Sequence, residues 1–225
     1  MRLFVAIELG PRARAAMTRC QQRLARSDAC RAVRWTHEDR LHLTVRFLGE
    51  VPDADVANVS TAVTKGLADV RPFAMHVVSV GCFPPDGRVR IVWVGLREDS
   101  GELVKLAKSL DGEFAALGFP SESRPFHPHV TIGRVKEDRS GGDLRGAIEA
   151  RAIDEVVQPV DRVVLMSSVL ARGGPTYSVV SAHPIDPSKR DWIEPPYGFR
   201  RITSIIRRSE PFIVPRHAHT QDTAR

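Results

Sequence analysis

The sequence predicts an α+β fold built on antiparallel sheet, and three observations lead there. Strand-like and helix-like segments run strand, helix, strand, strand through the first half, and a similar order returns in the second. Few of them form the βαβ units of a doubly wound fold, and no Gly-x-Gly-x-x-Gly follows the first strand. Finally, two tetrapeptides of one form, His42-Leu43-Thr44-Val45 and His129-Val130-Thr131-Ile132, fall one in each half, which hints at pseudo-two-fold organisation.

Each element rests on its own pattern. Residues 2–8 carry Phe4, Val5 and Ile7 and read as an opening strand. From Pro11 to Arg26 the spacing turns helical, with Pro11 suited to a first turn and Ala16, Cys20 and Leu24 recurring every four residues. Val33 to Trp35 and Leu41 to Leu48 read as strands, Gly49 closing the second. In a regular strand Leu41, Leu43, Val45 and Phe47 point one way, and His42, Thr44, Arg46 and Leu48 the other. A helix is expected over 53–69, with Asp53 as N-cap and Val56, Val59, Val63 and Leu67 in one stripe.

Phe73 to Phe83 and Val89 to Leu96 are a predicted strand pair joined across Pro84-Pro85-Asp86-Gly87. A helix fits 100–117, with Leu103, Leu106, Leu110, Phe114 and Leu117 inward and Gly118 as terminator. His129 to Val135 is a strand. A short helix near 143–150, a strand from Val160 to Leu170 and a last one near Tyr177 to Ala182 complete the set. The expected domain is 1–185. Residues 186–225 hold eight Lys/Arg against five Asp/Glu and five prolines with no sustained period, so they read as a basic, Pro-containing extension. Within it, Ile202, Ile205 and Ile206 are a short apolar cluster suited to docking on the body or on another subunit.

Composition narrows the class. Hydrophobic residues at 42% and charged residues at 27% are ordinary for a globular protein. A net charge of +6 is compatible with a polyanionic partner. The apolar N-terminal stretch is interrupted by Glu8, and no segment approaches the roughly 20 apolar residues of a membrane span. Cys20, Cys30 and Cys82 form no C-x-x-C pair, which suggests neither a disulfide framework nor a zinc site. A cytoplasmic protein with no membrane association is expected.

The two tetrapeptides carry the chemistry. In a strand, residues two apart share a face, so each motif presents an imidazole beside a hydroxyl. Either alone would be an ordinary strand position. Two such pairs across a groove supply one base, one acid and two hydroxyl donors, a set suited to in-line displacement at a phosphodiester. Which imidazole plays which part is left open by the motifs. Arg46 shares the face of His42 and Thr44 if the strand is regular, fitting either a substrate contact or a solvated edge. His127 precedes His129 by two residues but heads no motif, which suits a supporting role. His37, His76, His183, His217 and His219 have no motif context, and no Asp or Glu pattern turns His217-Ala218-His219 into a metal site.

Further segments surround the motifs: Arg2-Leu3-Phe4-Val5-Ala6-Ile7, Val33-Arg34-Trp35, Leu41 through Glu50, and Arg124-Pro125-Phe126-His127-Pro128-His129-Val130-Thr131-Ile132. With these flanks the chain resembles the bacterial and archaeal RNA 2′,3′-cyclic phosphodiesterases, also called 2′-5′ RNA ligases, of the 2H phosphoesterase superfamily. Gly81-Cys82-Phe83-Pro84, Val92-Trp93-Val94-Gly95, Gly118-Phe119 and Gly174-Pro175-Thr176-Tyr177 also fall where that family has similar segments, and the likeness runs from residue 2 to about Ala182. The resemblance implies a bilobal 2H phosphoesterase fold, two antiparallel sheets lining a central cleft with helices outside. It implies hydrolysis of RNA 2′,3′-cyclic phosphate ends to 2′-phosphomonoesters without metal or cofactor, with reversible 2′-5′ RNA ligation as a further activity of the same site. His42 would be the proton donor and His129 the proton acceptor. Thr44 and Thr131 would hold phosphate oxygens, and Arg134 matches a basic position facing the phosphate. Phe47 is a nucleotide contact or a core residue. The expected partner is RNA with a 2′,3′-cyclic phosphate terminus, tRNA fragments among the candidates, and the expected state is a monomer. The rival readings are another cyclic nucleotide or 2′-5′ linkage as substrate, and a non-catalytic RNA-binding module.

Overall fold

The structure, a computed structural model, describes residues 1–136, 143–171 and 174–189. In chain order the elements are β1 (Arg2–Glu8), α1 (Pro11–Leu24), β2 (Val33–Trp35), β3 (His42–Glu50), α2 (Val56–Gly66), β4 (Phe73–Phe83), β5 (Ile91–Arg97), α3 (Glu102–Ala116), β6 (His129–Val135), α4 (Asp143–Glu149), β7 (Val156–Val160), β8 (Arg162–Ala171) and β9 (Gly174–Pro184). The two expected sheets are the two halves of one nine-stranded antiparallel path, β7-β4-β5-β6-β3-β1-β8-β9, with β2 paired to β6. The halves meet where β3 and β6 pair through a single register pair, Leu43 with Val130.

Leu43 and Val130 are fully buried in the main core, together with Met17 of α1, Val59 of α2, Leu110 of α3 and Leu144 of α4. The residues flanking them in sequence, His42 with Thr44 and His129 with Thr131, therefore face away from the helices.

Both motif strands then break their alternation at the same place. On β3 the pairing to β1 runs Ala6 with Thr44 but Val5 with Arg46, leaving Val45 as an extra residue. On β6 the pairing to β5 runs Trp93 with Thr131 but Val92 with Gly133, leaving Ile132 extra. Each is a β-bulge three residues after the motif histidine, and each switches the parity of the residues beyond it. At the second bulge the Ile132 carbonyl accepts from the Thr36 backbone N–H at 2.9 Å and from Gln21 Nε2 at 2.8 Å. Gln21 also donates to the Thr36 carbonyl at 2.7 Å, so one buried amide of α1 ties the bulge to the chain entering β3.

Four details depart from the sequence expectations. Asp53 does not cap α2. A 3₁₀ turn spans Asp53–Asp55, and the Asp53 carboxylate lies 3.7 Å from the Met1 ammonium instead. Leu117 follows the last turn of α3 and is exposed, while Gly118 stops the helix at φ +87° as expected. Strand β7 was hidden by Pro159, which a sheet edge tolerates. Its Gln158 is buried and accepts the Gly10 N–H at 2.7 Å. Contacts also continue past residue 185: Ile185 is buried with its N–H on the Asp161 carbonyl, and Lys189 Nζ donates to the Ala68 carbonyl. The rest of the basic extension, with Ile202, Ile205, Ile206, His217 and His219, lies outside the described residues.

The three cysteines are buried and form no disulfide among the described residues. Among the described residues no helix is long and apolar enough to cross a membrane.

The bulge bond gives a stability test. Gln21→Leu leaves the buried Thr36 carbonyl without its donor and takes one of two from Ile132, at a cost of about 1–3 kcal/mol. Urea unfolding monitored by circular dichroism measures it. A variant as stable as the parent would mean that Gln21 does not secure the bulge.

Candidate active site

A cleft of about 680 Å³ opens on the sheet face away from the helices, and its lining includes His42, Thr44, His129 and Thr131. The junction explains why. Carrying the antiparallel register of Leu43 and Val130 one residue either way sets His42 against Thr131 and Thr44 against His129. Two segments distant in sequence thus place two imidazoles and two hydroxyls around one local two-fold axis.

Both histidines are held in the same way. His42 Nδ1 donates to the Arg40 carbonyl at 2.9 Å, and His129 Nδ1 donates to the His127 carbonyl at 2.7 Å. A carbonyl can only accept, so each Nδ1 carries the hydrogen, and the neutral ring keeps its lone pair on Nε2. His127, expected as a supporting residue, acts through that backbone carbonyl.

Aromatic walls pack around each ring. Phe4 and Tyr177 lie 5.0 Å from the His42 ring, Tyr177 meeting it edge-on. Phe83 meets His129 edge-on at 5.2 Å, with Trp93 packed against Phe83 at the same separation. Trp93 lies across Gly81, where a Cβ would come within 2.3 Å of the indole, so only glycine admits that wall. The turn after Phe83 is held by Arg145 of α4, which donates to the Pro84 carbonyl at 2.9 Å and the Gly87 carbonyl at 3.1 Å. Burial in these walls pushes both imidazoles below their ordinary value of 6.5, and the charge of Arg134 pushes both the same way. The carbonyls on Nδ1 act in the opposite sense without prevailing.

The bulges decide the remaining expected residues. In a regular strand the fifth residue after each histidine would turn to the core, yet both Phe47 and Arg134 line the cleft. Phe47 is 45% exposed, stacks on Phe4 at 5.9 Å and carries the Arg2 guanidinium 5.1 Å over its ring. The nucleotide-contact alternative for Phe47 thus fits better than the core one. Arg46 is the correction. The bulge at Val45 turns it inward, where it is 9% exposed, 3.0 Å from Asp111, 3.9 Å from Glu122, and donates to the Pro120 carbonyl. Arg46 ties β3 to α3 and does not line the cleft.

Sequence reasoning gave no role to Arg34, Trp35, His37, Arg40 and Tyr177, all of which line the cleft. Arg34, Trp35 and Tyr177 fall in the segments quoted around the motifs, whereas His37 and Arg40 lie between two of them and gave no signal. Among the described residues no Asp or Glu lines it. A second hollow of similar size, lined by the β1–α1 turn and the β7–β8 turn, sets Glu8, Glu38 and Asp161 against Arg14 and Arg162, so it lacks the positive charge of the cleft. His183 is a buried structural residue bonded to Thr64 and Ser181, and His76 pairs with Glu155.

This fold and paired-histidine cleft define a 2H-type phosphoesterase, and comparison with known proteins bears that out. Residues 11–171 match the model of the 2′-5′ RNA ligase superfamily, and the chain belongs to that family. It is 32% identical over 179 residues to an RNA 2′,3′-cyclic phosphodiesterase of Methanothermobacter thermautotrophicus, covering 79% of this chain and 95% of the relative. Among solved structures, a Thermus thermophilus protein superposes with a TM-score of 0.67 at 27% identity, covering 82% of this chain and 98% of that one. LigT of E. coli complexed with 3′-AMP gives a TM-score of 0.64 at 26% identity, over 82% and 97% of the two chains.

The shared influence of Arg134 on the two imidazoles can be measured. Its positive charge disfavours a second one on either ring, so Arg134→Gln should raise both titration midpoints. NMR titration of the two Cε1–H resonances reads each. If only one midpoint moves, Arg134 does not stand between the two rings.

Proposed function

We propose that the cleft hydrolyses RNA 2′,3′-cyclic phosphodiester ends to 2′-phosphomonoesters by acid–base catalysis between His42 and His129. The observation that carries this reading is the matched pair of Nδ1–carbonyl bonds, which leaves Nε2 of both rings as the working atom. Water attacks phosphorus while His129 Nε2 takes its proton, the P–O3′ bond breaks, and His42 Nε2 gives a proton to the departing 3′ oxygen. The products are a 2′-phosphate and a free 3′-hydroxyl. Assigning His42 as donor and His129 as acceptor rests on the family resemblance, since the two rings have like surroundings. Thr44 and Thr131 donate hydrogen bonds to the non-bridging oxygens, and Arg134 balances the phosphate charge. Phe47 offers a face to the base.

His42 must begin the reaction protonated although the protein groups around it disfavour that form. The substrate supplies the correction, because a phosphate anion beside the ring opposes Arg134 and favours the imidazolium. No metal is required by this scheme, since the two imidazoles provide both proton transfers. The relatives named as cyclic phosphodiesterases support RNA as the substrate, and with a 5′-hydroxyl in place of water as nucleophile the same groups would open the cyclic phosphate to a 2′–5′ phosphodiester, the 3′ oxygen leaving as before.

The assay is turnover of an oligoribonucleotide ending in a 2′,3′-cyclic phosphate, with the product isomer read by phosphorus NMR. A 2′-phosphate is expected. His42→Ala and His129→Ala should each lower kcat/KM by roughly 100- to 10,000-fold. Dialysis against EDTA should change nothing. A 3′-phosphate product, or full activity in either variant, would overturn the assignment.

A further inference from the structure

The cleft holds more positive charge than the proposed reaction uses. A 2′,3′-cyclic phosphate bears one negative charge, and the proposed reaction answers it with Arg134, which lines the cleft. Yet Arg34 also lines the cleft, and among the described residues no carboxylate does.

The placement of Arg34 is specific. It is the register partner of Arg134 in the β2–β6 pair, whereas their neighbours Val33 and Val135, paired one position away, are buried. Two directly opposed residues of an antiparallel pair share a face, so both guanidinium groups stand on the cleft side. Like charges directly opposite destabilise a sheet unless something of opposite charge sits between them. Ile91, the partner of Arg134 on β5, supplies no charge. The row Arg34, Arg134, Ile91 is therefore a place where the sheet accepts an electrostatic cost that an anionic ligand can offset.

Distance from the chemistry says which part of the ligand that is. Along β6 the motif residues His129 and Thr131 come first, and Arg134, with Arg34 beside it on β2, lies beyond the bulge at Ile132. Both motifs therefore sit on one side of that bulge and the guanidinium pair on the other. An RNA end presents its charges in a matching sequence: the cyclic phosphate, then the phosphodiester on the 5′ side of the same nucleoside.

We infer that Arg34 and Arg134 form a second anion subsite, which takes the phosphodiester 5′ to the terminal nucleotide and makes the cleft a reader of oligonucleotide ends rather than of mononucleotides. This rests on the cyclic phosphodiesterase reading above and adds the substrate length that the site selects. A guanidinium pair grips the non-bridging oxygens of a diester, and each charged hydrogen bond adds discrimination against a ligand lacking that anion.

Three substrates test it: the dinucleotide CpA ending in a 2′,3′-cyclic phosphate, the same compound with its internal phosphate replaced by a neutral methylphosphonate, and adenosine 2′,3′-cyclic phosphate. In the parent protein, kcat/KM for the charged dinucleotide should exceed that for the neutral one by about tenfold or more. The mononucleotide should fall near the neutral dinucleotide. In Arg34→Gln the charged-to-neutral ratio should drop toward one, and Arg34→Lys should recover part of it. Because each ratio is taken within one protein, a general loss of folding or turnover cancels. A parent protein indifferent to the internal charge, or an Arg34→Gln variant that keeps the full ratio, would overturn the subsite. Hydrolysis of none of the three would instead overturn the activity. Equilibrium binding of the two intact dinucleotides would then give the same ratio, and equal affinities would reject the subsite as well.

Discussion

The pairing of Leu43 with Val130 is the contact on which both fold and site depend. It is the single register pair joining the two halves of the sheet, and both side chains are fully buried among the helices. With the core side fixed, strand alternation forces the flanking histidines and threonines to the other face. With the antiparallel direction fixed, the motifs run past each other, so each imidazole meets the opposite threonine. A slip of one residue would bury an imidazole and expose a core aliphatic, so the hydrophobic core defines the register of the two motifs.

The same walls that hold the imidazoles also set their resting state. Phe4, Tyr177, Phe83 and Trp93 limit ring movement and exclude water, and the loss of water is the largest influence lowering both pKa values. Among the described residues no carboxylate lines the cleft to act in the other direction. Near neutral pH the protein groups alone thus favour two bases and no acid. Under the proposed reaction, the charge that makes one ring an acid arrives with the ligand, which couples binding of an anion to readiness for catalysis.

The parts legible in the sequence were those that depend on local period. Both His-x-Thr pairs, most strands and the buried stripes of α1 and α3 came from alternation or four-residue recurrence. What failed did so where a single residue breaks the period. The bulge at Val45 exchanges the faces of Arg46 and Phe47, so a regular reading sent Arg46 to the substrate and left Phe47 undecided. No residue type at Val45 announces a bulge. Pro159 masked β7 because an edge strand accepts the missing N–H that an inner strand would not. Arg34 and Arg134 become neighbours only through the β2–β6 pairing, and no spacing rule links positions so far apart in the chain.

The fifth position after each histidine shows how a two-fold scaffold acquires direction. Each motif strand bulges at the third residue, and each bulge brings the fifth to the cleft: Phe47 in one half, Arg134 in the other. The backbones repeat, but the side chains do not. An aromatic face takes a base and a guanidinium takes a phosphate, so a nucleotide can lie across the axis in only one sense without placing its charge on the ring and its base on the cation. In the proposed reaction that orientation sets the leaving oxygen beside one histidine and the attacking water beside the other. His42 and His129 share the same backbone restraint and the same direction of pKa shift. Under the proposed reaction, the difference between acid and base comes from Phe47 and Arg134, through the way they orient the ligand, and the added charge of Arg34 extends that polarity along the strand.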